Sequence, residues 1–287
     1  MIPLRDENPT RRVPVVTVVL IVLNIGIYFG LQPQGQQLLG RVDTDMADPN
    51  AADREATRFN FEYAAIPCEV TTGEPLSQDE LPSASGEGTC SRDEGRPGSE
   101  RPIFPDKQVW LAVVFSMFFH GSLLHLGGNM LFLWVFGNNI EDHLGPVRYL
   151  LFYLVAGIVA TGAHVVVQPD STIPLVGASG AVAGIMGAYL VWFPNAPVLT
   201  VLVFFIVLFR EISAKWLLGF WFVSQFFVNP NAGVAWMAHV GGFVFGALVG
   251  LLVRSSAAAR QLAWRDRYLQ PTSPDPWYEG RRRPGRW

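Results

Sequence analysis

A serine and a histidine in the second half of the chain are of the types that carry out nucleophilic catalysis. Ser179 lies in the sequence GASG (177–180), and His239 lies in AHVGG (238–242), both within strongly apolar surroundings. A serine hydroxyl that is hydrogen-bonded to an imidazole base is an activated nucleophile. Two structural interpretations stay open, because Ser179 could cap or pack a helix and His239 could form a hydrogen bond between helices.

Glycines accompany both residues and favour close contact between helices. Gly177 and Gly180 permit close approach to the backbone, and N–H groups at the start of a helix could stabilise an oxyanion. Small residues also recur at every fourth position, at Gly180, Gly184 and Ala188 and again at Gly242, Gly246 and Gly250. Such faces let two helix backbones approach each other, either for packing alone or to bring the two reactive side chains together.

Two further polar residues share one helix face earlier in the chain. His125 and Asn129 are four residues apart, and could donate hydrogen bonds into a cavity where negative charge develops. His120 lies five residues before His125, and we expect it to tie the preceding segment to this helix. Metal binding by the two histidines is the alternative, although no HExxH motif or third ligand accompanies them. His143 and His164 carry no functional signal.

The composition indicates an integral membrane protein. Of the 287 residues, 50% are hydrophobic and 16% are charged, whereas soluble domains average about 25% charged. The charges cluster, since residues 32–109 hold 15 of the 24 acidic residues. A net charge of −3 gives no reason to expect a nucleic-acid partner.

Six segments are long and apolar enough to be transmembrane helices, each of which needs about 20 residues. They are 13–31, 122–140, 147–167, 176–193, 213–229 and 234–253. A further apolar run, 197–209, is shorter. It could be the end of a neighbouring helix, an interfacial segment or a short span.

The distribution of basic residues orients these segments. With six spans, 14 of the 21 Lys and Arg residues lie on one side, and the other 7 lie in the acidic loop. The positive-inside rule then places both termini in the cytoplasm, as an N-terminus at 1–12 and a basic, lipid-attracted tail at 254–287. Loop 32–109 lies outside the membrane. Seven spans would put the basic tail outside, which the rule disfavours.

Three features mark the outer loop and the segment that follows it. Cys68 and Cys90 face an oxidising compartment, where they either form a disulfide or remain two thiols in a flexible loop. Residues 71–102 are rich in Gly, Pro, Ser and acids, which predicts disorder. Residues 104–120 are apolar and aromatic, which predicts a structured segment in the outer interface before the second span.

Three stretches of sequence resemble the rhomboid family of intramembrane serine proteases. They are HGSLLHLGGNMLFLWVFGNNIE (120–141), GASGAVAGIMGAY (177–189) and AHVGGFVFG (238–246). Their order, spacing and predicted topology all match, and the resemblance covers about 104–253. It implies an all-α membrane protein, a bundle of six transmembrane helices with a long extracytoplasmic first loop. Spans two to six, at 104–253, would form the catalytic core.

The resemblance also implies roles for individual residues. Ser179 matches the nucleophile of the family and His239 its general base. His125 and Asn129 match the residues that stabilise the oxyanion. The matching structural residues near the site are His120, which organises the first loop, Glu141, an acid at the inner end of the second span, and Gly177, Gly180, Gly242 and Gly246. No cofactor and no metal is expected.

The implied function is cleavage of transmembrane segments of other membrane proteins near the outer face of the bilayer. A bacterial plasma membrane is the expected location, because no organelle-targeting segment is evident. The chain departs from the family in lacking a Trp-Arg pair in the first loop, in its acidic insert, and in carrying Ala183 where some members have an aromatic residue that stacks on the histidine.

Two other functions remain open from the sequence. One is a catalytically silent rhomboid-like protein that binds membrane helices, against which the retained Ser179 and His239 argue. The other is a small transporter or channel, against which the lack of an intramembrane carboxylate and of an inverted repeat argues.

Overall fold

Helices make up most of the described chain. The computed structural model describes residues 1–33, 51–81, 88, 90, 102–203, 207–228 and 234–269. In chain order the elements are β1 (Ile2–Asp6), α1 (Val15–Gly30), α2 (Ala51–Tyr63), α3 (Pro67–Thr72), α4 (Val109–Phe115), α5 (Leu123–Leu144), α6 (Pro146–Val167), α7 (Ser179–Trp192), β2 (Pro197–Val203), β3 (Val207–Ser213), α8 (Ala214–Ser224) and α9 (Trp236–Leu269). Short 3-10 turns follow α4 and α8 and cover Gln78–Glu80.

Each of the six apolar segments contains a helix, but the helices differ in length. Within the described residues, α6 and the first part of α9, to Val253, are long and apolar enough to cross a membrane. A third span is added if α4 with its 3-10 turn and α5, which meet at a bend of 80°, count as one. Helices α1 and α7 are apolar but shorter, at 16 and 14 residues. A membrane protein is supported, and the number of six spans stays a prediction.

A three-stranded antiparallel sheet of order β1-β2-β3 lies among the helices. Strand β2 pairs with β1, with Val198 opposite Asp6, and with β3, with Leu199 opposite Glu211. Of the three expectations for 197–209, the helix end and the short helical span are therefore wrong, because the described residues form strands. The interfacial segment stays a prediction. The Val and Thr residues of 197–209 favour a strand. The partner strand comes from the far N-terminus, so the all-α prediction did not include this sheet.

Glu141, near the C-terminal end of α5, joins that helix to the start of α1. Its carboxylate accepts hydrogen bonds from the N–H groups of Val16 and Thr17, at 2.9 and 2.8 Å, and from the Thr17 hydroxyl at 2.8 Å. The first N–H groups of a helix have no partner within the helix, and a negative charge there is favourable. The buried carboxylate thereby holds α1 against α5.

Asp6, the last residue of β1, connects the sheet to the helices. Its carboxylate accepts hydrogen bonds from the side-chain amide of Asn139 on α5 and from the Tyr189 hydroxyl on α7, the latter at 2.7 Å. Burial raises the pKa of Asp6 to about 6, and the Tyr189 hydrogen bond opposes that shift. The sheet therefore lies at the end of α5 that carries Asn139 and Glu141.

Helix α7 packs backbone to backbone against α6 and α9. A Cβ atom added to Gly184 would lie 2.6 Å from the Cβ of Ala156 on α6. A Cβ atom on Gly242 or Gly246 of α9 would collide with the carbonyl oxygen of Gly180 or Gly184, respectively. The small-residue faces predicted from the sequence are thus in contact with each other. Helix α9 continues to Leu269, beyond the predicted end of the sixth span at 253.

The described part of the first loop is anchored by buried polar contacts. Cys68 and Cys90 form a disulfide, with their Cα atoms 5.7 Å apart. Lys107 Nζ forms an ion pair with the Glu69 carboxylate, and both side chains are almost fully buried. The segment 104–120 contains α4, as expected for a structured segment. Most of the predicted disorder at 71–102 lies outside the described residues, as does most of the tail.

Candidate active site

The turn before α7 places Ser179 at the first position of that helix. Gly177, two residues earlier, has a φ of +130°, in the region that favours glycine. A Cβ atom at Gly177 would lie 2.9 Å from Nε2 of His125 and 3.4 Å from Oγ of Ser179. The Gly177 N–H donates to the carbonyl oxygen of Ser116 at 2.9 Å. A glycine is therefore required by both the backbone conformation and the space.

Ser179 and His239 are in hydrogen-bond contact. Nε2 of His239, in the first turn of α9, lies 2.8 Å from Oγ of Ser179. The two residues are 60 positions apart in the chain, and the close packing of α7 against α9 brings them together. This distance falls within the range of about 2.6–3.2 Å for a nucleophile and its general base.

A second polar partner of His239, which the sequence analysis did not identify, comes from the end of α8. Nδ1 of His239 lies 2.8 Å from Oε1 of Gln225, the first residue of the 3-10 turn that follows α8. The Trp221 ring lies beside the imidazole, with centroids 5.9 Å apart. A signal was present, since Gln225 is a polar side chain in a mostly aromatic and apolar segment, and such residues in membranes are functional candidates.

His125 and Asn129 lie on one wall of the same cavity as Ser179 and His239. Nδ1 of His125 accepts a hydrogen bond from the Gly121 N–H at 3.4 Å. A neutral His125 therefore carries its proton on Nε2, the ring nitrogen that borders the space beside Gly177. The Asn129 amide donates to the backbone carbonyl of His125 at 3.0 Å.

His120 is buried behind His125 and outside the Ser179–His239 pair. Its ring packs edge-on against the His125 ring, with centroids 5.1 Å apart. Its backbone N–H donates to Oε1 of Gln32 at 2.9 Å, and its carbonyl accepts from Nε2 of Gln32 at 3.2 Å. The residue thus links the start of α5 to the chain that follows α1.

The cavity has a volume of about 550 Å³ and is partly open. This volume lies in the range of about 300–1,000 Å³ found for ligand sites. His164, from the C-terminal part of α6, also lines it, although its sequence context carries no functional signal. Polar groups from α5, α6, α7 and α9 therefore line one cavity, and Gln225, from the turn after α8, lies beside it through its contact with His239.

The described residues offer one group that resembles a metal site. The ligand atoms of Cys68, Glu80 and Cys90 lie within 4.8 Å of one another. Both sulfur atoms belong to the disulfide, so neither is available as a thiolate ligand. This group therefore does not supply a metal site while the disulfide is intact.

Comparison with known proteins agrees with the motif-based resemblance. The model of the Rhomboid domain family matches residues 106–256, just over half of the chain. The matched range contains Ser179, His239, Gln225, His125 and Asn129.

Individual relatives span different parts of the chain. It is 28% identical over 169 residues to Rhomboid protein 1, mitochondrial, of Saccharomyces cerevisiae, which covers 56% of this chain and 45% of that protein. It is 40% identical over 81 residues to Rhomboid protease GluP of Bacillus subtilis, covering 28% of this chain and 15% of GluP. It is 31% identical over 151 residues to the Putative rhomboid protease YdcA of the same organism, covering 50% of this chain and 67% of YdcA. The chain thus spans less than half of the first two relatives.

Proposed function

The chain belongs to the rhomboid family, and from this premise we propose that it is an intramembrane serine endopeptidase. Ser179 is the nucleophile and His239 the general base. The observation that carries the proposal is the 2.8 Å contact between Oγ of Ser179 and Nε2 of His239 beside a polar cavity. Relatives whose names include "protease" support the same reaction class.

In the proposed reaction, Oγ of Ser179 attacks the carbonyl carbon of the scissile peptide bond while its proton passes to Nε2 of His239. The tetrahedral intermediate collapses, and the leaving amine takes that proton from the imidazolium. Water then attacks the acyl-enzyme, again with His239 as the base, and releases the carboxylic acid and free Ser179. In this arrangement a neighbouring general base activates the serine nucleophile, as in other serine hydrolases.

The oxyanion of the intermediate is stabilised in the space beside Gly177. That space lies between Nε2 of His125 and Oγ of Ser179, and Nε2 is the protonated nitrogen of a neutral His125. The first N–H groups of α7, beginning at Ser179, add donors without partners inside the helix, together with the positive end of the helix dipole. Asn129 completes the polar wall. Loss of one such donor costs about 10²–10³ in rate.

The proposed substrate is a transmembrane segment of another membrane protein. Its peptide bond becomes accessible only where the helix unwinds, because a helical backbone hides its carbonyl carbons. Cleavage takes place near the outer face of the membrane. In the proposed topology the protein has six spans, a long outer first loop at 32–109 and both termini in the cytoplasm. A bacterial plasma membrane is the proposed location. Spans two to six, at 104–253, form the proposed catalytic core.

Cleavage of a fluorogenic transmembrane-segment substrate by the purified protein in detergent tests this proposal. Ser179→Ala and His239→Ala should each lower the rate by at least about 10³-fold. Ser171→Ala, which removes another serine hydroxyl at the same cavity, is the matched control and should keep the wild-type rate. A fluorophosphonate should label the wild type and the control but not Ser179→Ala.

Cleavage that survives Ser179→Ala would rule out the mechanism. A catalytically silent protein that binds membrane helices is the alternative. It would bind the substrate without cleaving it, and the wild type would not react with the fluorophosphonate.

A further inference from the structure

We propose that Gln225 is a positioning residue that holds His239 in the tautomer needed for a general base. The inference rests on the proposed function and adds a third side chain to the Ser179–His239 pair. Its basis is a chain of three hydrogen bonds that runs from the Trp221 carbonyl through the Gln225 amide and the imidazole to Oγ of Ser179.

The end of α8 orients the side-chain amide of Gln225. Nε2 of Gln225 lies 3.1 Å from the backbone carbonyl oxygen of Trp221. A carbonyl oxygen can only accept a hydrogen bond, so the NH₂ end of the amide must point toward it. Nε2 is also 3.4 Å from the Ser224 hydroxyl, which itself donates to the Trp221 carbonyl at 2.6 Å. The backbone at the end of α8 therefore determines which way the amide faces.

The orientation of the Gln225 amide determines which ring nitrogen of His239 carries the proton. With NH₂ directed at Trp221, Oε1 of Gln225 is the atom 2.8 Å from Nδ1 of His239. An amide oxygen only accepts, so Nδ1 of His239 must carry a proton. The neutral imidazole then has no proton on Nε2, the atom that lies 2.8 Å from Oγ of Ser179. This is the nitrogen that must accept the serine proton.

The hydrogen bond also acts after proton transfer. Once His239 has accepted the serine proton, Nδ1–H belongs to an imidazolium, and its bond to Oε1 becomes charge-assisted and stronger. Gln225 is 7% exposed, so water competes weakly for either partner. The amide thus stabilises the charged form of the base without a carboxylate at the site.

Trp221 supports the same arrangement from one helical turn earlier. It supplies the carbonyl that orients Gln225, and its ring lies against the imidazole. The end of α8 therefore contributes both a hydrogen bond and an aromatic contact to His239. Ala183, on α7, has no ring to pack against the imidazole of His239, and Trp221 makes this aromatic contact from α8 instead.

Substitutions of Gln225 in the purified full-length protein test the inference. Gln225→Met keeps the length of the side chain and removes the acceptor, and we expect kcat to fall about tenfold. Gln225→Glu retains an acceptor and adds negative charge. Its kcat should stay within about threefold of the wild type, since the acceptor is kept. The acid limb of its kcat/KM profile should move to higher pH, because the carboxylate favours the protonated imidazole. Phe227→Leu, at an exposed position of the same turn, is the matched control and should leave both unchanged.

A readout that does not need activity separates this inference from the proposed function. In protein labelled with ¹⁵N-histidine, the spectrum of His239 should show a protonated Nδ1 and an unprotonated Nε2, and Gln225→Met should shift that tautomer population. His239→Ala assigns the signal. Equal rates and equal tautomer populations in wild type and Gln225→Met would overturn the role of Gln225. Absence of cleavage and of labelling in the wild type would instead overturn the proposed function, while the spectrum still reports on Gln225.

Discussion

Gly177 shows how the absence of a side chain shapes the candidate site. Its positive φ turns the chain into α7, and the space where a Cβ atom would stand lies between the His125 ring and Oγ of Ser179. A methyl group in this space would push His125 away and would occupy the place proposed for the oxyanion. The residue therefore matters for both the conformation of the turn and the reaction.

We expect Gly177→Ala to lower kcat/KM by about 100-fold, because a displacement of about 1 Å in an active site can cost that much. The strained φ should also lower the stability by about 1–3 kcal/mol. Cleavage assays and thermal unfolding in detergent measure the two effects. Gly162→Ala, on α6 where a Cβ atom meets nothing within 4 Å, is the control and should keep full activity. Full activity of Gly177→Ala would contradict the proposed oxyanion position.

Gln225 and Trp221 are further examples at the residue scale. A polar amide in an apolar segment is visible in the sequence, but its partner His239 is not, since the two belong to different helices. Only the packing of α8 beside α9 shows that the amide meets an imidazole rather than a backbone group.

At the scale of elements, β1 attaches the sheet to the helix bundle through one buried carboxylate. Asp6 accepts hydrogen bonds from Asn139 and Tyr189, on α5 and α7, and its neighbours Arg5 and Glu7 add opposing charges. Because burial raises the pKa of Asp6 to about 6, the folded protein holds this proton at a higher pH than the unfolded chain does.

This difference predicts a pH-dependent stability. The folded state binds more protons at Asp6 than the unfolded state between pH 3.8 and about 6, so stability falls as the pH rises through that window. Above it the loss is complete and constant. In thermal unfolding of the purified protein, the apparent Tm of the wild type should fall over this range relative to that of Asp6→Asn.

The exposed carboxylate Asp106 provides the matched control, and Asp106→Asn should show the same pH dependence as the wild type. Parallel curves for the wild type and Asp6→Asn would show that the burial of Asp6 does not control this part of the profile.

At the scale of the whole molecule, α5 separates the candidate site from the sheet. His125 and Asn129 lie in the first turns of α5, whereas Asn139 and Glu141, which contact β1 and α1, lie in the last turns. A helix of 22 residues is about 33 Å long, close to the thickness of the bilayer core of about 30 Å. The candidate site and the sheet therefore lie at opposite ends of a helix of membrane length.

This geometry makes the proposed orientation testable with thiol reagents. After mild reduction of intact cells, an impermeant maleimide should label Cys90, which is half-buried and in the proposed outer loop. In a cysteine-free background, Arg210→Cys on β3 should react only after the membrane is permeabilised. The reverse pattern would contradict the orientation with both termini in the cytoplasm.

Much of this organisation is local in the sequence. The six long apolar segments predicted the positions of helices, because a segment inside a bilayer must satisfy its own backbone hydrogen bonds. The four-residue spacing of small residues predicted the tight faces of α7 and α9, and GASG with AHVGG indicated a serine near a histidine. These features depend on residues that are close together in the chain or on a repeated pattern.

Other features depend on residues that are far apart in the chain, and they become visible only in the folded protein. The strand at 197–203 needs a partner from Ile2–Asp6, so no local pattern could separate it from an apolar helix or span. Three further contacts join different helices. Gln225 contacts His239, and Trp221 makes the aromatic contact with His239 that Ala183 cannot make. Glu141 caps the start of α1. The sequence alone predicted the positions of the apolar helices and the residue types of the candidate site. Their mutual geometry was decided by packing, because hydrogen bonds between distant segments form only when the helices are brought together.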